Sequence, residues 1–368
     1  MKCFLCPAVA LALAWPAASV AAPATQPIAE AAPEFSQAVA PREWAFPRDH
    51  GRHDSFKTEW WYFTGNLRDD AKREFGYQLT FFRTAVAPVT PRRPSPWAFH
   101  DLYFAHAAIT DVAGQTFVFK DRLSRGRAGL AESSDTTLDV RLLDWKAILD
   151  RGAIRLQANE DSFSIDLSCA GGRGPVLQGP GGINAKGRRP EQASYYYSMT
   201  RLKTTGTLTL GGKQFHVHGD TWMDHEFSSN ALSADQTGWD WFGLSLADGN
   251  DLMIYRLRNR AGDADFLSGT IIQPDGTPRY LSARDISLRP SKPWVSPASG
   301  SAYPQEWAVS VRGMSQLTVR TRIPGQELIT TASTKVDYFE GSADVLNSTG
   351  SMIGEGYLEM TGYGRNGL

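Results

Sequence analysis

The sequence predicts an all-β protein closed as a barrel or sandwich, and three observations carry that expectation. Short runs of alternating apolar and polar residues recur along the chain, among them FGYQLTFFR, AIRLQANE, FSIDLSCA and KQFHVHGD, separated by Gly, Asn and Asp. No apolar stripe with a helical period reaches helix length, and only Leu142 to Leu149 has the pattern for one or two helical turns. Aromatic residues are abundant, with 11 Trp, 18 Phe and 12 Tyr in 368 residues. Such side chains favour strands and apolar pockets over solvated helix faces.

Taken in order, residues 1–21 read as a secretory signal. Lys2 supplies the positive charge, Phe4 to Trp15 the apolar segment and Ser19-Val20-Ala21 the small-residue cleavage site. This predicts an exported protein, periplasmic or secreted. Cleavage removes Cys3 and Cys6, so Cys169 has no intramolecular disulfide partner, and no basic residue near it activates its thiol. Residues 22–43, rich in Ala, Pro, Glu and Gln, read as a disordered lead-in. In TEWWYFTGNL the chain becomes a strand, with Glu59, Trp61 and Phe63 on one face and Trp60, Tyr62 and Thr64 on the other. Arg68-Asp69-Asp70 turns it into a hairpin with FGYQLTFFR. The proline-dense stretch from Pro88 to Pro96 is a surface loop, because proline supplies no ladder donor. Residues 171–192, rich in Gly and Pro, read as a mobile loop and a candidate lid over a pocket mouth.

The second half echoes the first. WYFTGNLRDD (61–70) matches WFGLSLADG (241–249), YQLTFFR (77–83) matches LMIYRLR (252–258), and FAHAAITDVAG (104–114) matches FLSGTIIQPDG (266–276). Asp144-Trp145 matches Glu306-Trp307, and SYYYSMT (194–200) matches VDYFEGSAD (336–344). Five matches in one order predict two tandem domains, 44–230 and 235–368. HGDTWMDHEF (218–227) pairs with EGYLEMTGYG (355–364), in which the Asp-His-Glu triplet is missing. Chemistry is therefore expected in the first copy's last strand and the linker after it.

The stretch from His216 to Leu246 concentrates the candidate chemistry. Asp224, flanked by Trp222 and Met223, has the setting of a carboxyl kept protonated by burial, and it is the candidate general acid with His225 and Glu226 beside it. The competing reading is that Asp224 and Glu226 cap the strand end while His225 bonds a carbonyl. Trp239, Trp241 and Trp61 are candidates to face a cation. Trp60, Tyr62, Trp222 and Tyr196 complete the candidate substrate-binding set. His216, His218 and Asp220 have a spacing that permits a metal, but a solvated outer face accounts for them, so no metal and no cofactor is expected. His106 reads as a satisfied core histidine.

The motifs TEWWYFTGNL, YQLTFFR, FAHAAITD, SYYYS, TWMDHEF and GWDWFGLSLADG together resemble the lipocalin-like family of carotenoid 1,2-hydratases, AttH-like proteins and predicted secreted hydrolases, over residues 44–368. The resemblance implies two tandem lipocalin-like (calycin-type) antiparallel β-barrel domains packed together, and an apolar, lipid- or isoprenoid-like ligand. The export signal sets this chain closer to the secreted members than to pigment-synthesis hydratases.

Two functional classes follow. One is a hydratase- or hydrolase-type enzyme using acid catalysis by a buried carboxyl; the other is a non-catalytic carrier in which the acids orient the ligand. A serine hydrolase is disfavoured because no G-x-S-x-G elbow occurs. With 38 basic against 39 acidic residues, no nucleic-acid partner is expected. The expected partners are a small apolar ligand and, transiently, a membrane surface.

Overall fold

The computed structural model describes residues 34–88, 98–230 and 232–364. The signal segment, residues 22–33 of the lead-in and nearly all of the proline-dense loop lie outside them.

Alternation along the strands builds two antiparallel sheets. The first holds β1 (Thr58–Asp69), β2 (Glu74–Ala85), β3 (Asp101–Asp111), β4 (Thr116–Arg125), β5 (Ala131–Ser133), β6 (Asp139–Leu142), β7 (Trp145–Asp150), β8 (Ala153–Asn159), β9 (Phe163–Ala170), β10 (Pro175–Leu177), β11 (Ile183–Ala185), β12 (Ala193–Leu210) and β13 (Lys213–Ser228). The second holds β14 (Gln236–Leu246), β15 (Asp251–Asn259), β16 (Ala264–Ile272), β17 (Pro278–Leu281), β18 (Ile286–Val295), β19 (Ala302–Val311), β20 (Leu317–Thr321), β21 (Glu327–Ile329), β22 (Asp337–Leu346) and β23 (Met352–Thr361). The first sheet curls into a nearly closed barrel and the second into a half-barrel. Their centres share one order: β2-β1-β13-β12 in the first, β15-β14-β23-β22 in the second.

Each sheet has an inner core, and a third apolar cluster fills the seam between them. Trp61, Phe63, Leu67, Phe75 and Trp145 pack inside the barrel, and Phe242, Leu244, Tyr303 and Trp307 inside the half-barrel. Tyr62, Tyr196, Trp222, Trp241, Tyr255 and Tyr357 pack between the sheets, with Trp60 and Trp239 against them. The strands of the seam are therefore buried on both faces. Arg68 and Arg322 reach Glu355 from the two sides at 2.8 and 3.0 Å, and Asn66 Nδ2 donates to the Gly356 carbonyl.

The structure corrects four expectations. Leu142 to Leu149 is the tight β6–β7 hairpin, with Leu143 at φ 56°, and has no helical turn; two short strands with apolar residues on one face mimic a helical stripe. Residues 171–192 carry two short strands, β10 and β11, that pair with β12. Residues 34–43 lie against the barrel: Ala38 is buried and Arg42 pairs with Asp49 at 2.7 Å. Trp61 and Trp241, matched in the sequence echo, face opposite ways, one into the barrel and one into the seam. Strand side chains alternate, so a match in error by one residue exchanges the faces.

One end of the barrel is plugged by a buried charge network. The Glu59 carboxylate accepts hydrogen bonds from His53 Nδ1 (2.8 Å), His225 Nε2 (2.9 Å), the His53 amide (3.0 Å) and Arg83 Nε (3.2 Å). Burial opposes its charge, but the His53 and Arg83 charges and the imidazole bonds win and hold it well below the usual carboxylate range. Arg83 is fully buried and also donates to Asp101 and to the His53 and Phe56 carbonyls. Replacing Arg83 with Ala leaves Glu59 and Asp101 buried and short of their counter-charge. We expect a loss of about 3–5 kcal/mol in denaturant unfolding; a change below about 1 kcal/mol would show the plug to be dispensable.

Candidate functional site

The seam contains a cavity of about 520 Å³. Strand alternation chooses its walls. The face of β1 that carries Trp60 and Tyr62 meets the face of β13 that carries Asp224 and Glu226; β14 adds Trp239 and Trp241, and β23 adds Glu359. Phe82, Phe104 and His106 close one side, Tyr196, Tyr255 and Lys186 another. Gly243 makes room for Trp241, since a Cβ there would collide with the indole.

Asp224 is 3% exposed and is held by three donors. Ser198 Oγ (2.5 Å) and Trp222 Nε1 (2.7 Å) donate to Oδ1, and Tyr196 Oη lies 2.5 Å from Oδ2. Trp241 Nε1 donates to the same Tyr196 oxygen at 3.2 Å. Burial raises the carboxyl and the three donors lower it; burial wins, and the group moves from 3.8 to about 7. Glu226, two residues along on the same face, is ion-paired with Lys186 Nζ at 2.9 Å. The Lys186 ammonium lies 4.3 Å from the Tyr255 ring centroid. Glu359 on the facing sheet is pushed to about 7 by burial and by the charges of Asp224 and Glu226, against a Trp239 hydrogen bond.

The structure gathers most of the candidate residues and separates two. Asp224, Glu226, Trp60, Tyr62, Tyr196, Trp239 and Trp241 line the cavity. Trp222 sits beside them and orients Asp224. His225 points the other way, into the barrel plug, where it bonds Glu59 and stacks on Trp61 with ring centroids 5.0 Å apart. Asp224-His225-Glu226 is thus a sequence triplet but not a spatial one. His216 and His218 are exposed, and Asp220 pairs with Lys203 at 2.7 Å. His106 is buried, with its two ring nitrogens on Tyr338 Oη (2.6 Å) and Ser333 Oγ (2.8 Å). Cys169 is a buried free thiol.

Four groups were missed. Glu340 and Glu359 lie in the second sheet, in YFEGSAD and GYLEMTG; a charged residue inside an apolar strand run was the available signal. Lys186 lies just past β11, and Tyr255 sits in an ordinary alternating strand, so neither carried one.

His53, Glu59 and His225 bring ligand atoms within 4.8 Å of one another, a set able to hold a metal. Hydrogen bonding accounts for the same distances, because Glu59 Oε1 lies within 2.9 Å of a nitrogen on each ring.

The AttH-like family model matches residues 37–363. The chain belongs to the AttH-like family. A crystal structure of a provisionally named AttH from Nitrosomonas europaea superposes with a TM-score of 0.80 at 29% identity, covering 89% of this chain and 100% of that one. Kievitone hydratase from Nectria haematococca shares the fold at a TM-score of 0.66 and 15% identity, over 90% of this chain and 97% of its own. The protein CghA matches at a TM-score of 0.52 and 11% identity, over 84% and 89%. No curated protein matches the sequence significantly.

A carboxyl raised by folding stabilises the folded state at low pH and loses that contribution as pH climbs through its folded value. Asparagine at 224 mimics the protonated acid and accepts the same Ser198 and Trp222 donors. Asp224→Asn should therefore match the native melting temperature near about pH 4 and exceed it by several degrees near about pH 8. A difference independent of pH would show that Asp224 does not titrate between those limits.

Proposed function

We propose that this protein binds a compact apolar molecule in the seam cavity and that Asp224 protonates it, in a hydration or the reverse dehydration. The single observation behind this is Asp224 itself: a carboxyl buried among aromatic walls, with its pKa lifted to about 7. Such a group is a proton donor at neutral pH and a carboxylate immediately afterwards.

The hydrogen bonds favour one oxygen as the carrier of the proton. Oδ1 accepts from Ser198 and Trp222, so in the protonated form we assign the proton to Oδ2, which then donates to Tyr196 Oη across the contact in which the carboxylate accepts. Delivery of that proton to an alkene carbon leaves a carbocation in the cavity and a carboxylate at Asp224. The Trp60, Trp239 and Trp241 rings stand around it, each desolvated face giving about 1–2 kcal/mol to a cation. Water adds to the cation and releases its proton to Glu226, which Lys186 holds in place at 2.9 Å. Transfer of a proton back to Asp224 completes the cycle.

The hydratase among proteins of similar fold supports this class of reaction without naming a substrate. A carrier without chemistry is the second reading, favoured by the three donors that fix Asp224 as an orienting group. In either case the N-terminal segment supports an exported protein, and an apolar ligand makes a membrane surface its natural source.

Mass spectrometry of the molecule that copurifies with the protein supplies the ligand. With it, Asp224→Asn should lower turnover by about 10³-fold, near the usual value of a general acid, while the dissociation constant changes less than about threefold. Equal loss of binding and turnover, or recovery of the ligand unaltered after incubation, would favour the carrier.

A further inference from the structure

The second sheet brings two carboxyls into the seam, neither with an ion-pair partner among the described residues, although the Lys186 charge acts on the second of them, Glu359. Glu340 of β22 and Glu359 of β23 are direct cross-strand partners, and like charges so placed destabilise a sheet. Glu340 is 1% exposed; its Oε2 accepts from Tyr62 Oη at 2.8 Å, while Oε1 has no hydrogen-bond partner among the described residues. Burial first, and Glu359 second, push it well above the usual carboxylate range, with no cation among its influences. Packing alone gives no reason for this pair, since apolar residues would fill the same space without the repulsion.

The cavity lining repeats the imbalance. Asp224, Glu226 and Glu359 face a single ammonium, Lys186, which Glu226 already engages. The titratable neighbours on the other packed elements are neutral: Tyr62, Tyr196, Tyr255 and Tyr338 are raised by burial, and burial lowers His106 to about 4. A surplus of carboxyls framed by tryptophan faces is the chemistry that recognises an ammonium on an apolar body. Lys186 over the Tyr255 ring shows a cation already held on that wall in this way.

We propose that the ligand is an apolar amine, with its ammonium seated against Glu359 and Trp239 and its hydrocarbon body lying along Trp60, Phe82 and Phe104. This rests on the seam cavity being the ligand site. The bound ammonium ionises Glu359, whose proton leaves to solvent, so amine binding is linked to pH and binding of a neutral molecule is not.

The test is calorimetric titration of the full chain with N,N-dimethylgeranylamine and with its neutral isostere, in which carbon replaces nitrogen. Near about pH 7.5 the amine should bind about tenfold or more tightly than the isostere. Near about pH 6.5, buffers of different ionisation enthalpy should report release of a substantial fraction of a proton with the amine and none with the isostere. Glu359→Gln should bring the amine-to-isostere affinity ratio close to one. Should that variant fail to fold, proton release by the native chain still decides. Equal affinities without proton release would overturn the amine and leave apolar binding standing; binding of neither compound would remove the cavity reading as well.

Discussion

Burial of the seam between the two sheets is the constraint on which the rest of this structure depends. Elsewhere a strand at a barrel wall shows one face to solvent; here the seam stretches of β1, β14 and β23 and the second half of β13 are buried on both. The inner faces make two ordinary apolar cores. The outer faces meet each other, and because they carry Asp224, Glu226, Glu340 and Glu359, their contact desolvates carboxyls. An exposed aspartate in the same hydrogen-bonded setting would be held ionised by Ser198, Tyr196 and Trp222. Burial reverses that balance, and the acid exists only because the second sheet covers it.

The same alternation separates two polar systems that the sequence runs together. Odd positions around 225 belong to the barrel plug, where Glu59, His53, His225 and Arg83 satisfy one another's hydrogen bonds. Even positions belong to the seam, where charge is under-compensated. One system is rigid and complete; the other is short of cations and lined with rings. That contrast, more than the presence of acidic residues, supports the proposed ligand site in the seam.

The candidate site was partly legible in the chain. Asp224, Glu226 and five of the aromatic candidates could be found because an acidic, tryptophan-rich segment at strand spacing is rare in a packed protein. His225 and Trp61 were grouped with them because adjacency in sequence looks like adjacency in space, whereas strand neighbours point apart. Glu340 and Glu359 escape the sequence pattern because the segment 355–364 lacks the Asp-His-Glu triplet of 218–227. These two carboxyls lie on strands that close the cavity from the opposite sheet, a juxtaposition with no local signature.

By itself the sequence determined the all-β class, the antiparallel strands and the family motifs. These rest on period-two patterning and turn residues, which act over a few positions. The tertiary structure alone decided which face of each strand meets the other sheet, that Lys186 reaches Glu226, and that four carboxyls share one seam. The physical reason is that desolvation is a property of what covers a group, and the covering strands belong to the other sheet, β22 and β23 among them lying more than a hundred residues from β13 in the chain.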